Sequence, residues 1–290
     1  MRVVIFTTSA EMGENGRIAE EIKNLGYESV FYDLSEFEYS IVDGKVNVEG
    51  VEVRSDDVVI PRAIFSSLHA ICTFTLSLRK EGIKVFDNNL LVHKYSINKL
   101  SDFIKLAKAN IPVPESYHLH SYEKFESIAG KLGFPFIIKL TRTGKGSGIY
   151  KIDNLNELKE FIEIRENEGI EAKRYLLQKF VDYKYDLRVL IIGEKIFCMQ
   201  RIPKENEFRA NFSLGGSVEV FDLSKDDEGL ARRAMEAVNL EIAGVDLLIG
   251  KDDRRFILEV NHTPGMLGME KATGLNITKI YLEYALSHAR

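Results

Sequence analysis

Short apolar runs alternate with helical spacing in the first third of the chain. IAEEIKNLG repeats apolar residues at helical intervals and ends at Gly26, a residue type that commonly terminates helices. The strand candidates around it are VVIFTT, SVFYDL, DDVVIPR and IKVFDN. Such alternation is typical of a parallel sheet with helices packed on it. The pattern therefore predicts a small parallel α/β lobe at the N-terminus.

A longer amphipathic segment, KYSINKLSDFIKLAKANI, follows this lobe and predicts a helix that ends before Pro112 and Pro114. Its apolar positions are Leu100, Phe103, Ile104 and Ala107. Six later apolar runs predict strands: FPFIIKL, YLLQKF, LRVLIIG, KIFCMQRI, AGVDLLIG and RRFILEV. NELKEFIEIRE and DEGLARRAMEAVNL predict helices between them. This mixed order predicts α+β architecture beyond the first lobe.

Composition narrows the classes of partner. The formal net charge is -5 and the sequence pI is ≈ 5.8. A protein that binds nucleic acid by neutralising phosphates needs a basic excess, so we expect no nucleic-acid partner. No apolar run approaches the roughly 18 residues of a membrane span, so we expect no membrane partner and a cytoplasmic location. Cys72 and Cys198 stand in separate apolar stretches, which is typical of buried free thiols in a reducing compartment.

The glycine-rich stretch TGKGSG, residues 143–148, lacks the features of two common phosphate-binding loops. No helix follows it directly, as a Rossmann fingerprint requires, and it lacks the terminal GK[ST] of a P-loop. Its backbone N–H groups could instead fold over phosphates as a flap, while Lys139 on the preceding strand supplies positive charge. The residues of this flap would be Gly144, Lys145, Gly146, Ser147 and Gly148. The loop alone leaves an ordinary glycine-rich hairpin open as the alternative.

A first hairpin is predicted where Gly193 and Glu194 form a two-residue turn. This turn places Asp186 opposite Arg201 and Arg188 opposite Met199, so that Asp186, Arg188 and Arg201 share one face of the sheet. A charged face between apolar partners indicates a polar cleft. The alternative is an exposed sheet face with cross-strand ion pairs, each worth only ~0.2–1 kcal/mol.

A second hairpin is predicted with Asp252 and Asp253 as its turn. Asp246 then falls opposite Glu259, and Asn261 shares the face of Glu259. Convergent carboxylates are expected to share a proton or a cation, because two unpaired buried charges would repel. Oxygen ligands without Cys or His favour Mg²⁺ or Mn²⁺ over zinc. A solvent-facing Glu259 is the alternative.

From about Asp87 to Asn276 the chain resembles the RimK-type ATP-grasp ligases. The motifs that carry the resemblance are, in order, TGKGSG, QKFVDYKYDLR, MQRIPKENEFRANFSLGG, AGVDLL and EVNHTPGMLGMEKATGLNI. The resemblance implies an ATP-grasp fold of three lobes, α/β (α+β) in class. These are an N-terminal α/β domain (1–97), a central ATP-grasp subdomain with the phosphate flap (98–177) and a C-terminal subdomain with the metal site (178–290).

The resemblance also implies roles for individual residues. Lys99 and Lys139 match two lysines that contact phosphate, and Asp186 lies where an acidic residue takes the ribose hydroxyls. Adenine would be held by the backbone of Gln178, Lys179, Phe180 and Val181. The cation ligands, for two ions of Mg²⁺ or Mn²⁺, would be Asp246, Glu259 and Asn261. The residues near the γ-phosphate and the acyl intermediate would be Arg188, Arg201, Arg209 and Asn211.

The implied reaction joins an amine to a carboxylate through an acyl-phosphate and releases ADP and phosphate. The resemblance favours L-glutamate or a similar amino acid as the amine, and a protein tail or coenzyme as the carboxylate acceptor. EVNHT is also similar to the LysX-type ligases, which act on a carrier protein in lysine or arginine synthesis. Leu214 stands where RimK enzymes have a basic residue, so the sequence does not choose among these acceptors.

Two further classes stay open: a kinase of the same fold, and a nucleotide-binding regulator without turnover. Homo-oligomers are common in the family, so the resemblance admits one here. Arg62, at the end of an N-terminal strand, resembles a family position that reaches substrate. For His262, directly after the metal motif, substrate contact, orientation of Asn261 and simple packing are all open interpretations.

Overall fold

A computed structural model describes residues 1–11, 13–43, 45–89, 98–141, 148–203 and 217–290. The N-terminal lobe contains β1 (Arg2–Thr7), α1 (Gly13–Asn24), β2 (Glu28–Asp33), β3 (Tyr39–Val42), β4 (Lys45–Val48), β5 (Val58–Pro61), α2 (Leu68–Lys80) and β6 (Lys84–Val85). Its main sheet has the order β2-β1-β5-β6, and all its strands are parallel. The predicted parallel α/β lobe is therefore confirmed. The pattern did not predict α2 or the β3–β4 hairpin.

The central part of the chain forms an antiparallel sheet of order β7-β10-β8-β9. Its elements are α3 (Lys99–Lys108), β7 (Ser116–His118), α4 (Phe125–Leu132), β8 (Phe136–Leu140), β9 (Ile149–Ile152), α5 (Leu155–Asn167) and β10 (Tyr175–Lys179), with 3₁₀ turns at Tyr122–Lys124 and Ala172–Arg174. Buried aromatic and aliphatic residues from α4, α5 and three strands fill its core, among them Phe125, Phe136, Leu158 and Tyr175.

The C-terminal part forms a second antiparallel sheet, of order β13-β12-β11-β14-β15. Its elements are β11 (Tyr183–Ile192), β12 (Lys195–Ile202), β13 (Ser217–Val220), α6 (Lys225–Val238), β14 (Ile242–Gly250), β15 (Arg255–Asn261), α7 (Leu267–Thr273) and α8 (Ile277–His288). Every residue of β14 is buried. Helix α6 packs on one face of the sheet, and the N-terminal lobe and α8 pack on the other face at the Ile242 end of β14. The two faces thus belong to two different cores.

Helix α3 shows where the predicted apolar face was wrong. Ile104 is 64% exposed, whereas Phe103 and Leu106 are buried together with Asp102. The inward stripe therefore includes a carboxylate, and it packs against α6 and β15. The domain boundaries at 97 and 177 stay a prediction, although α3 shares its core with the C-terminal sheet through Leu106.

The two cysteines are buried thiols, as expected. Burial raises the pKa of the Cys198 thiol to about 12. Within the described ranges, none of the helices has both the length and the apolar composition needed to cross a bilayer.

Candidate functional site

The β11–β12 hairpin has the predicted register. Ile192 pairs with Lys195 around the two-residue turn, Asp186 lies opposite Arg201, and Arg188 lies opposite Met199. The backbone of Gly193 has φ +53, and a Cβ there would lie 2.4 Å from the Tyr284 ring of α8. Glycine therefore allows both the turn and the close approach of α8.

The β14–β15 hairpin gives the predicted pair, Asp246 opposite Glu259, but by a different route. Ile249 pairs with Arg255, so the loop has one residue more than the predicted Asp252–Asp253 turn. Asp253 takes the left-handed conformation (φ +63) that is common at the last position of three-residue hairpin loops. A bulge at Leu258 then restores the register, so two departures from the prediction compensate.

Asp246 is enclosed by two arginines, Arg188 of the neighbouring strand β11 and Arg201 of β12, the strand beyond it. Arg188 Nε lies 2.6 Å from Asp246 Oδ1, and Arg201 Nη1 donates to Asp246 Oδ2 at 3.2 Å. Burial alone would raise the pKa of Asp246, but the charges and hydrogen bonds of Arg188 and Arg201 outweigh it and lower the pKa. Asp246 is thus held as a carboxylate inside the sheet face.

Arg201 also joins Asp186 to this network. Its Nε donates to Asp186 Oδ1 at 2.8 Å, and its Nη2 contacts the same oxygen. Burial raises the pKa of Asp186, although the charge of Arg201 acts in the opposite direction. The structure therefore brings together the three residues that were predicted to share a face, and their ion pairs are buried rather than exposed.

Two lysines reach the same cluster from outside the hairpins. Lys99, the first residue of α3, places its Nζ 2.5 Å from Glu259 Oε1. Lys139 lies on β8 and is buried, and its pKa is lowered to about 8 by burial and by the charge of Lys99, against the opposing charges of Glu259, Asp246 and Asp186. The cluster therefore lies between the central and C-terminal sheets.

Asn261 stands at the end of β15, opposite Gly244. Its Nδ2 donates to the Gly244 carbonyl at 3.0 Å. The side-chain amide nitrogen is therefore bonded to the backbone, and the amide oxygen is left for other contacts. A Cβ at Gly244 would approach Arg188 Nη1 to 2.7 Å and Pro264 Cβ to 2.9 Å. The absence of a side chain at Gly244 is therefore needed for Arg188 to reach the cluster.

The segment predicted to hold adenine, Gln178 to Val181, connects the two sheets. Gln178 is buried at the end of β10, and its Nε2 donates to Ser116 Oγ at 2.9 Å. The Lys179 backbone N–H donates to the Glu115 carbonyl at 2.8 Å, and Lys179 itself is exposed. Phe180 and Val181 follow, both half-buried. Contact with adenine stays a prediction.

Several predicted site residues lie outside the described residues. These are Gly144, Lys145, Gly146 and Ser147 of the flap, together with Arg209 and Asn211. Gly148 is described, and its carbonyl accepts a hydrogen bond of 2.8 Å from the Leu140 N–H. That bond joins the start of β9 to β8, as predicted for a turn between two strands.

The Arg62 side chain is buried and does not face a cleft. It is 2% exposed, and its Nη2 donates to Glu14 Oε2 at 3.0 Å and to the Pro264 carbonyl at 2.7 Å. Glu14 Oε1 in turn accepts from the Met266 N–H at 2.8 Å. Arg62 and Glu14 therefore anchor the loop after β15 to the N-terminal lobe.

Sequence reasoning missed two residues next to the site. Asp102 of α3 contacts His262, and Asn88 hydrogen-bonds to the backbone at Ile242 and His262. Asp102 lay in the predicted helix as a polar residue one turn after Lys99, and Asn88 followed a predicted strand. Neither position carried a signal for a partner so distant in the chain.

The fold identifies the class of protein. One similar solved structure is the ATP-grasp ligase PsnB, complexed with a phosphomimetic variant of a minimal precursor, Mg and ADP. Its TM-score is 0.75 at 18% identity, over 99% of this chain and 98% of that chain. Another is a RimK domain protein ATP-grasp from Sphaerobacter thermophilus, with a TM-score of 0.73 at 16% identity over 98% of this chain and 99% of that chain. The fold is therefore ATP-grasp, as predicted.

The family follows from the sequence comparison. The family model for the RimK-like ATP-grasp domain matches residues 96–285, so the chain belongs to the RimK-like ATP-grasp family. The probable alpha-L-glutamate ligase of Trichodesmium erythraeum is 26% identical over 290 residues, which cover 98% of this chain and 95% of that protein. The predicted enzyme class, an ATP-dependent ligase that forms carbon–nitrogen bonds, is thereby confirmed.

Proposed function

We propose that the protein uses ATP to join L-glutamate, or a similar amino acid, to the carboxylate of a protein tail or coenzyme. The observation that carries the proposal is the cluster of charges between the two antiparallel sheets. Its cationic members are Lys99, Lys139, Arg188 and Arg201, and its carboxylates are Asp186, Asp246 and Glu259. The name of the Trichodesmium relative supports glutamate as the amine.

The cluster suits a triphosphate because cationic side chains outnumber carboxylates. In the proposed first step, an acceptor oxygen attacks the γ-phosphorus, and the bond from that phosphorus to the bridging oxygen of ADP breaks. Arg188 and Arg201 would offset the charge on the transferred oxygens. Asp186, proposed to take the ribose hydroxyls, is paired with Arg201, so the ribose would have to share or displace that ion pair.

The donor set fits a hard divalent cation. Asp246 and Glu259 are cross-strand neighbours, and the hydrogen bond from Asn261 Nδ2 to Gly244 turns the amide oxygen toward other contacts. Two carboxylates and an amide oxygen are ligands that Mg²⁺ and Mn²⁺ prefer. We propose that these three residues hold one or two such ions, which when bound neutralise charge on the phosphate oxygens.

In the second step, the glutamate amine attacks the acyl carbon, phosphate leaves with the bonding electron pair, and the amine loses a proton. Arg209 and Asn211 are proposed to donate hydrogen bonds to the oxyanion that forms at this carbon. In other enzymes such a donor contributes ~2.7–4 kcal/mol to the stability of the transition state.

The proposal is tested by incubating the enzyme with cell extract, ATP, Mg²⁺ and isotopically labelled glutamate, followed by mass spectrometry and nucleotide analysis. The expected result is ADP, phosphate and an acceptor whose mass has increased by glutamate residues. Glu259→Ala, handled identically, is the control for other enzymes in the extract. A labelled carrier protein would instead favour the LysX-like alternative.

Other products would exclude the proposal. ADP with a stable phosphorylated product would indicate a kinase, and the absence of ADP in every extract would indicate a regulator without turnover. AMP in place of ADP would exclude the acyl-phosphate route. The acceptor that gains label also decides between a protein tail and a coenzyme.

A further inference from the structure

His262 joins three parts of the molecule at the end of β15. Its ring nitrogen Nε2 lies 3.0 Å from Asp102 Oδ2 of α3, and a carboxylate only accepts, so the ring donates. Its backbone carbonyl accepts from Asn88 Nδ2 at 2.9 Å. Asn88 makes three more hydrogen bonds, to the Ile242 carbonyl and to the N–H groups of Glu241 and Ile242. His262 is therefore fixed by both its backbone and its side chain.

The contact with Asp102 is accompanied by a second polar contact that ties α3 to β15. Lys99 and Asp102 are one turn apart on the same side of α3. Lys99 contacts Glu259 and Asp102 contacts His262, so both residues of the helix reach the last part of the same strand. These two contacts, together with the apolar packing of Leu106, hold the first turn of α3 against the end of β15.

The two contacts differ in what nucleotide binding would do to them. In the proposed function, Lys99 contacts a phosphate and Glu259 binds a cation. Their ion pair would therefore be exchanged for contacts to the ligand. In the same proposal, Asp102 and His262 contact neither the nucleotide nor the cation. Their hydrogen bond, with both side chains about nine-tenths buried, would then remain as the side-chain contact between these positions.

The Asp102 carboxylate depends on His262. Among the described residues, Asp102 Oδ1 is buried and has no hydrogen-bond partner, and the nearest ammonium group, that of Lys105, is 3.8 Å away. A buried carboxylate oxygen is costly unless its group is well paired. The hydrogen bond from His262 to Oδ2 is thus the principal contact that stabilises the buried Asp102 carboxylate.

We propose that Asp102 and His262 are positioning residues that hold Lys99 in place for the nucleotide phosphates. The inference rests on the proposed function, because that proposal places the phosphates at Lys99. It goes beyond it by giving a role to a side-chain pair that touches neither nucleotide nor cation. The pair keeps α3 attached to the end of β15 when Lys99 and Glu259 exchange their ion pair for contacts to the ligand.

The test measures binding of magnesium AMP-PNP, a non-hydrolysable ATP analogue, to the full chain by calorimetry. His262→Leu and Asp102→Leu are each expected to weaken binding by about tenfold, the effect of losing a hydrogen bond to a charged group. His262→Gln, whose Nε2 can donate in place of the ring, should recover most of the affinity. His118→Leu, which alters an exposed histidine on β7, is the matched control and should bind as the wild type does.

A double substitution separates positioning of Lys99 from a general loss of structure. In a Lys99→Ala background, His262→Leu should weaken binding no further, because there is no ammonium group left to position. Thermal denaturation of every variant reports whether it folds. A tenfold further loss in that background, or equal affinity of wild type and His262→Leu, would overturn the inference alone. Failure of the wild type to bind magnesium AMP-PNP would overturn the proposed function as well.

Discussion

The two hairpins of the C-terminal sheet contribute opposite charges to the same cleft, and they differ in regularity. The β11–β12 hairpin supplies both arginines, and its pairs run from Asp186↔Arg201 to Ile192↔Lys195 without interruption. The β14–β15 hairpin supplies the proposed cation ligands, with a longer loop and a bulge at Leu258. The bulge allows Ile257 and Val260 to share the core although they are three residues apart, which keeps Glu259 and Asn261 out of it.

The two carboxylates of the β14–β15 hairpin also differ in burial and in their contacts. Asp246 is buried and contacts both arginines, whereas the Glu259 side chain is 32% exposed and contacts Lys99. Two carboxylates that face each other across a strand pair therefore have different structural roles. Asp246 balances buried positive charge in the fold itself, and Glu259 is the member that a ligand can recruit with little structural cost.

The largest effect is expected for Asp246→Ala. Removing this carboxylate takes the counter-charge away from Arg188 and leaves Asp186 as the buried carboxylate paired with Arg201. Breaking a buried ion pair typically costs 3–5 kcal/mol, so we expect the free energy of unfolding to fall by about that amount. ADP formation should also be lost. Urea denaturation measures the stability, with Asp252→Ala in the exposed hairpin loop as the control. A loss below about 1 kcal/mol would show that Asp246 is no more structural than a surface carboxylate.

Glu259→Ala should separate function from stability. ADP formation is expected to fall by at least about 100-fold, because a cation that offsets several kcal/mol of phosphate charge loses a ligand. The free energy of unfolding should change by less than about 1 kcal/mol, since partly exposed ion pairs contribute little. Glu219→Ala, on exposed β13, is the matched control for both measurements. ADP formation near the wild-type rate would remove Glu259 from the proposed site.

The lysine that faces both hairpins predicts a pH dependence. The folded chain releases the Lys139 proton near pH 8, while an unfolded chain keeps it up to about pH 10.5. The unfolded state therefore binds more protons in this window, and the contribution of Lys139 to stability becomes more favourable as pH rises from about 8 to 10.5. Compared with Lys139→Met, the wild type should gain stability across that range. An equal pH profile for both proteins would contradict the burial of Lys139, and Lys131→Met on the surface of α4 controls for general effects of losing a lysine.

The smallest effect is expected for an arginine of the β11–β12 hairpin. Arg188→Gln removes a positive charge from Asp246, so the protein without nucleotide should bind Mn²⁺ more tightly. A neighbouring charge worth about 1 kcal/mol corresponds to roughly a fivefold rise in affinity. Calorimetric titration with Mn²⁺ measures the change, and Arg232→Gln on α6 is the control. Unchanged or weaker Mn²⁺ binding would mean that Arg188 does not compete for this carboxylate.

Strand positions and hairpin partners were predictable because their signals are local. Alternation of side chains and a two-residue turn at Gly193 were enough to place Arg188 and Arg201 on one face. The bulge at Leu258 was not predicted, because Phe256, Ile257 and Leu258 are all apolar and show no alternation. The β3–β4 hairpin escaped prediction because most of its apolar residues, Tyr39, Ile41 and Val46 among them, are exposed, so that alternation marks no buried face.

Contacts between distant parts of the chain could not be predicted in the same way. Asp102 and His262 are 160 residues apart, and Asn88 and Ile242 are 154 residues apart. Neither strand nor helix periodicity specifies such partners, because they depend on how the sheets and α3 pack. Ile104 was misplaced for the same reason: the buried stripe of α3 includes Asp102, whose partner lies beyond the reach of a local pattern.

We expect the β14–β15 hairpin to hold a divalent cation together with the nucleotide, next to arginines that otherwise balance its charge. Equilibrium dialysis with Mn²⁺ tests it directly, with AMP-PNP either absent or present at equal concentration on both sides. Excess Mn²⁺ is expected with the wild-type protein when AMP-PNP is present, far less without it, and little with Glu259→Ala under either condition. Equal retention of Mn²⁺ by wild type and Glu259→Ala in the presence of AMP-PNP would show that this hairpin does not hold the cation.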